Sequence, residues 1–129
     1  MDTNLLQGID TVIVRVSDVD FSKTWYQQKL SFKIIYDEPA LNLVVLDTNG
    51  PTSITLWQTD QPVQNNKQTA SYPIFRTQEA EKAKQALLES GVKTDEVIDD
   101  GFVKYFFFYY PDGNVLEACQ AHGSNELIK

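Results

Sequence analysis

The feature that most constrains this chain is that it repeats itself. Thr11-Val-Ile-Val-Arg15-Val aligns with Tyr72-Pro-Ile-Phe-Arg76-Thr at an offset of about 61 positions, which lays Arg15 on Arg76. Near the other end of each half, Ile54-Thr-Leu-Trp-Gln58 aligns with Leu116-Glu-Ala-Cys-Gln120 at about 62. An offset that holds at both ends, with a one-residue slip that a turn absorbs, is the mark of a duplicated unit.

Periodicity gives the content of the unit. Val12, Val14 and Val16 alternate with Thr11, Ile13 and Arg15, which is a strand with two distinct faces. Ser17, Asp18 and Asp20 offer N-cap oxygens to a short helix marked by Phe21, Trp25, Tyr26 and Leu30, which stops before Ser31-Phe32. Three β-rich runs follow, at 32–36, 41–46 and 53–57, divided by Asp37-Glu38-Pro39 and Thr48-Asn49-Gly50-Pro51.

The second half reads the same way. A strand over 71–77 leads to a helix capped by Thr77 and running through Ser90, with Ala80, Ala83, Ala86 and Leu87 inward and Gly91 closing it. Strands over 92–98, 103–110 and 115–120 are divided by Asp99-Asp100-Gly101 and Pro111-Asp112-Gly113-Asn114. The polar stretch 59–71, with Pro62 and Asn65-Asn66, reads as a linker. The expectation is an α+β protein of two βαβββ modules, 8–58 and 72–121, forming one domain over 1–129. A ferredoxin-like unit has one strand on each side of its helix, whereas three follow each helix here, which leaves that fold as the runner-up.

At 129 residues the chain suits one domain better than two, because halves of this size are marginal alone. Its formal charge of −7 repels nucleic acid and anionic lipid and attracts cations. No window approaches the roughly 18 apolar residues of a membrane span. Met1 to Gly8 has neither the basic start nor the apolar run of a signal peptide or anchor. A single cysteine, Cys119, forms no internal disulfide and fits a reducing cytoplasm, and its place in an apolar strand reads as core.

Three stretches resemble the vicinal oxygen chelate superfamily of glyoxalases, bleomycin resistance proteins and extradiol dioxygenases. They are Ile9-Asp10-Thr11-Val12 through Asp18 with Trp25-Tyr26 and Leu30-Ser31-Phe32; Leu87-Leu88-Glu89-Ser90-Gly91-Val92; and, most specific, Tyr110-Pro111-Asp112-Gly113-Asn114-Val115-Leu116-Glu117. The resemblance covers about residues 8 to 121 and implies two sheets that curve into a cup around a ligand, often completed by a second chain. It also implies metal-ligand positions at Thr11, Thr55, Tyr72 and Glu117, of which only Glu117 is a usual donor. About three nitrogen, carboxylate or thiolate donors are needed for a catalytic metal. The lone histidine, His122, reads as a tail residue beyond the last strand.

Strand alternation then nominates a cavity lining. Thr11 brings Arg15, Tyr72 brings Arg76, and Glu117 faces the same way. Tyr105, Phe107 and Tyr109 share one face of their strand, and Phe106, Phe108 and Tyr110 the other, so one triplet lines the site and the other is core. Glu117 either neutralises an arginine or reads a ligand. The leading expectation is a metal-free, cofactor-free cytoplasmic homodimer of the bleomycin resistance type, binding an aromatic or cationic small molecule without nucleic acid or membrane partners. The ligand set is Thr11, Arg15, Tyr72, Arg76, Tyr105, Phe107, Tyr109 and Glu117, with no catalytic residue named. The alternatives are a glyoxalase- or dioxygenase-type metalloenzyme with a displaced metal and a non-catalytic interaction module.

Overall fold

A computed structural model describes residues 5–63 and 65–121. The chain divides between Gln61 and Pro62 into two compact units, each with one helix and one mixed sheet. The division falls inside the stretch that reads as a linker.

In the first unit, strand β1 (Thr11–Val16) leads to helix α1 (Val19–Leu30), then strands β2 (Lys33–Glu38), β3 (Leu43–Asp47) and β4 (Ser53–Gln58), with a 3-10 turn at Pro39–Leu41. The sheet order is β1-β4-β3-β2, with β1 parallel to β4 and the rest antiparallel. Val14, Val16, Val44, Leu46, Ile54 and Leu56 are buried on one face of this sheet. Helix α1 packs on β3 and β4 and buries Val19, Ser22, Trp25 and Tyr26. Here the helix supplies the aromatic bulk of the core: Trp25 and Tyr26 meet edge to face at 5.1 Å.

The second unit repeats the plan with β5 (Ile74–Arg76), α2 (Ala80–Glu89), β6 (Lys93–Thr94), β7 (Ile98–Asp99), β8 (Val103–Tyr109) and β9 (Val115–Ala121). Its order is β5-β9-β8-β6, β7 also pairs with β8, and β5 runs parallel to β9. The bulk is now on the strands. Phe106, Phe108 and Tyr110 are almost fully buried, while α2 presents only Ala80 and Leu87 to the core.

The duplication extends to single hydrogen bonds. The first helical N–H of α1, on Val19, donates to Gln58 Oε1 at 3.0 Å. That of α2, on Ala80, donates to Gln120 Oε1 at 2.7 Å. Each last strand thus carries, at or next to its end, a glutamine that satisfies an orphan donor of its own unit's helix.

Local details depart from the sequence expectation. Helix α2 starts at Ala80, because the Thr77 N–H donates to the Cys119 carbonyl and holds Thr77 in the ladder, leaving its hydroxyl to accept from the Glu79 N–H. Ala86 is exposed, since Ala80 and Leu87 set the inward stripe and Ala86 lies about 100° away from Leu87. Gly91 closes α2 at φ 81°, with Val92 N–H on the Leu87 carbonyl and Gly91 N–H on that of Leu88. Strand β5 is only three residues long, because Pro73 offers no donor and uses its carbonyl to accept from Glu117 N–H. The run 92–98 is split into β6 and β7 at Asp95, whose carboxylate turns to Tyr109 and Lys67.

Candidate functional site

The open face of the second sheet carries the site, and strand register builds it row by row. Glu117 on β9 stands between Ile74 on β5 and Phe107 on β8. The next row holds Arg76, Cys119 and Tyr105, and the row on the other side pairs Val115 with Tyr109. Directly paired residues share a face, so Tyr105, Phe107, Tyr109 and Glu117 all project to the side opposite Phe106 and Phe108.

Phe107 is the hub of this face. Tyr72 meets it edge to face at 6.0 Å and Tyr105 at 5.9 Å. All four aromatic rings here are partly exposed, unlike the core triplet. Glu117 is 8 % exposed, and among the described residues its side chain has neither a hydrogen bond nor an ion pair. Burial pushes its carboxyl above the usual carboxylate range. Arg76 lies on the exposed end of β5, one row from Glu117.

Cys119 is not a core residue. It sits half-buried on this same open face beside Tyr105, and burial together with the Glu117 charge pushes its thiol up, away from nucleophilic thiolate.

Two residues that sequence reasoning missed complete the face. Tyr109 Oη donates to Asp95 Oδ2 at 2.5 Å and accepts from Lys67 Nζ at 2.9 Å, and Lys67 Nζ lies 3.4 Å from the same carboxylate. The ammonium also stands 4.3 Å above the Phe107 ring. Burial, then the bond to Asp95, raise the Tyr109 phenol, and the bond to Tyr109 raises Lys67, so both hold their protons at neutral pH. Lys67 was hidden in a polar stretch with no periodicity. Asp95 carried a signal: alternation from Lys93, which pairs with Tyr109, puts it on the open face.

Thr11 and Arg15 occupy the corresponding face of the first sheet. Thr11 Oγ1 lies 2.8 Å from Thr55 Oγ1, so the two hydroxyls satisfy each other. The Arg15 guanidinium stacks 4.8 Å over the Trp57 ring, whose Nε1–H donates to the Leu41 carbonyl at 3.2 Å. Two neutral hydroxyls bonded to each other, one phenol and one carboxylate do not suit a divalent cation. Among the described residues no three His, Cys, Asp or Glu side chains converge. His122 lies outside the described residues.

The family model of the Glyoxalase/Bleomycin resistance protein/Dioxygenase superfamily matches residues 8–118. The chain belongs to that superfamily. It is 29% identical over 123 residues to YwkD of Bacillus subtilis (strain 168), an uncharacterized protein, covering 88% of this chain and 96% of that one. Among solved structures it is similar to TnmS3, an antibiotic binding protein from Streptomyces sp. CB03234, with a TM-score of 0.77 at 22% identity over 92% of this chain and 99% of that chain. The fosfomycin resistance protein FosX from Listeria monocytogenes gives a TM-score of 0.77 at 16% identity over 95% and 98%. At these identities the likeness to the solved structures is one of fold: α+β, with two mixed sheets, as the repeat implies. No helix among the described residues is long and apolar enough to cross a membrane.

Proposed function

We propose that this protein binds a small aromatic molecule on the open face of its second sheet, without a metal and without chemistry on the ligand. One observation carries the reading: Glu117 is a buried carboxylate with no partner among the described residues, set beside the Phe107 ring. A buried charge of this kind is unfavourable in the free protein, and a ligand donor placed against it removes the penalty. Tyr72, Tyr105 and Phe107 supply the apolar wall that a flat ligand stacks on. The fold likeness to an antibiotic binding protein fits sequestration.

In this reading the two modules act as one domain, and two chains pair in the cytoplasm. Ile34, Ile35, Tyr36 and Leu41 stand exposed near an edge strand of the first sheet and favour pairing. Light scattering at micromolar concentration tests this against the 14.7 kDa monomer.

The binding test is a thermal-shift panel of flavin-like, phenolic and bleomycin-like compounds on EDTA-treated protein, with elemental analysis of the untreated protein. Hits that survive EDTA and weaken by roughly 1–3 kcal/mol in Phe107→Ala support the reading, since that is the scale of one large apolar contact. Near one metal per chain, lost with Glu117→Ala, contradicts it.

A further inference from the structure

Lys67 stands in a stretch that the sequence presents as a linker, yet its ammonium is held from several sides. It lies 4.3 Å from the Phe107 ring centroid and 5.6 Å from that of Tyr109. It donates to Tyr109 Oη and lies within ion-pair distance of Asp95. These are the elements of an organic-cation site: ring faces with negative quadrupoles, a hydroxyl acceptor and a carboxylate.

The loop that carries Lys67 has its own structure. Gln68 N–H donates to Asn66 Oδ1 at 2.9 Å, and the N–H groups of Thr69 and Ala70 donate to the Asn66 carbonyl at 3.0 and 2.8 Å. Asn65 lies against Gly113, where a Cβ would stand 2.5 Å from Asn65 Nδ2. Gly113 holds φ 88°, the left-handed backbone that favours glycine, and a Cβ there would push the Asn65 amide aside. The lysine is thus delivered to the aromatic face by a folded turn, and it remains a loop residue in contact with solvent.

We propose that the Phe107 and Tyr109 rings and Asp95 form a subsite for an organic cation, and that Lys67 fills it until the ammonium group of a ligand displaces it. The proposal rests on the reading that this face binds a small molecule, and it adds the ligand class. Glu117, in the same row as Phe107, gives the face a second carboxylate that no described cation neutralises. The other cations on this face are Lys93, 5.1 Å from the Tyr109 ring on the edge strand β6, and Arg76, one row beyond Glu117 on β5. An internal occupant lowers apparent affinity by the fraction of time it vacates the site, so removing it strengthens binding of whatever takes its place.

The experiment is isothermal titration of the full chain with phenethylammonium and with 2-phenylethanol, a neutral probe of similar size. Wild type, Lys67→Ala, Lys67→Arg and Lys82→Ala are compared, the last removing one exposed charge on α2. The expected result is that Lys67→Ala raises the preference for phenethylammonium over 2-phenylethanol about tenfold, the effect of freeing a site vacant about one time in ten. Lys67→Arg and Lys82→Ala stay near wild type. An unchanged preference in Lys67→Ala, or an equal rise in Lys82→Ala, overturns the subsite. If 2-phenylethanol still binds in that case and is weakened by Phe107→Ala, the small-molecule reading survives alone. If neither probe binds any of the four proteins, both fall.

Discussion

The two halves of this protein share a frame and differ in what they expose. Both use a parallel outer pair and an antiparallel meander, and both tie the helix start to a glutamine at or next to the end of the last strand. At equivalent places in the two sheets, however, the first half has Thr55, bonded to Thr11, while the second has Glu117, whose side chain bonds to nothing among the described residues. One half has closed its polar positions among themselves and stacked Arg15 on Trp57. The other keeps a buried carboxylate and a set of half-exposed rings. Duplication preserved the hydrogen bonds that define the fold and released the open face to diverge, and an unsatisfied face is where a ligand has something to gain.

The largest expected effect separates core from site on a single strand. Phe106→Ala empties a fully buried position and should cost about 3–5 kcal/mol in chemical denaturation. Phe107→Ala, one residue along but half-exposed, should cost much less while affecting ligand binding. Equal losses for the two would break the assignment of faces.

Glu117→Gln comes next and has a pH signature. Its folded-state carboxyl is raised by burial, so the folded form binds a proton more readily than the unfolded form. Stability is therefore fullest below the unfolded carboxylate value. It falls as pH rises from there through the raised folded value, and is level above. Glu117→Gln should stabilise the free protein at pH 7 by at most about 1 kcal/mol, since the carboxylate keeps some solvent contact, and the gain should vanish in acid. Denaturation midpoints across pH 3–8, compared between the two proteins, check this, and a gain that persists unchanged at low pH contradicts it.

Thr55→Val probes the closed half. It leaves the Thr11 hydroxyl without its 2.8 Å partner and should cost about 1–2 kcal/mol, whereas Thr11→Val with Thr55→Val should recover most of that loss. The smallest effect lies at the helix ends. Ser31 holds φ 60° where the second half has Gly91, so Ser31→Gly should gain a few tenths to about 1 kcal/mol by thermal denaturation.

The fold was legible because each half carries its own periodicity and the repeat checks one against the other. Strand alternation also sorted Tyr105, Phe107 and Tyr109 from Phe106, Phe108 and Tyr110, since period two leaves no freedom once β8 is straight. What escaped was irregular. The break at Asp95 depends on a side chain reaching across strands to Tyr109, and Lys67 reaches the same ring from a loop with no period to read. The bulge at Ile35, where register passes from Ile34 against Leu46 to Tyr36 against Val45, likewise leaves no mark in a run of three apolar residues. Cys119 read as core because an apolar strand does not announce which of its faces is covered.

The most direct test is a ¹⁵N amide NMR titration of the EDTA-treated protein with a hit from the aromatic panel. Binding on the open face of the second sheet predicts saturable shifts centred on Tyr105, Phe107 and Glu117, with Thr11 and Thr55 little changed and the whole pattern lost in Phe107→Ala. Shifts centred on Thr11 and Thr55 that Phe107→Ala leaves intact, or binding that appears only after a divalent metal is restored, would contradict the account.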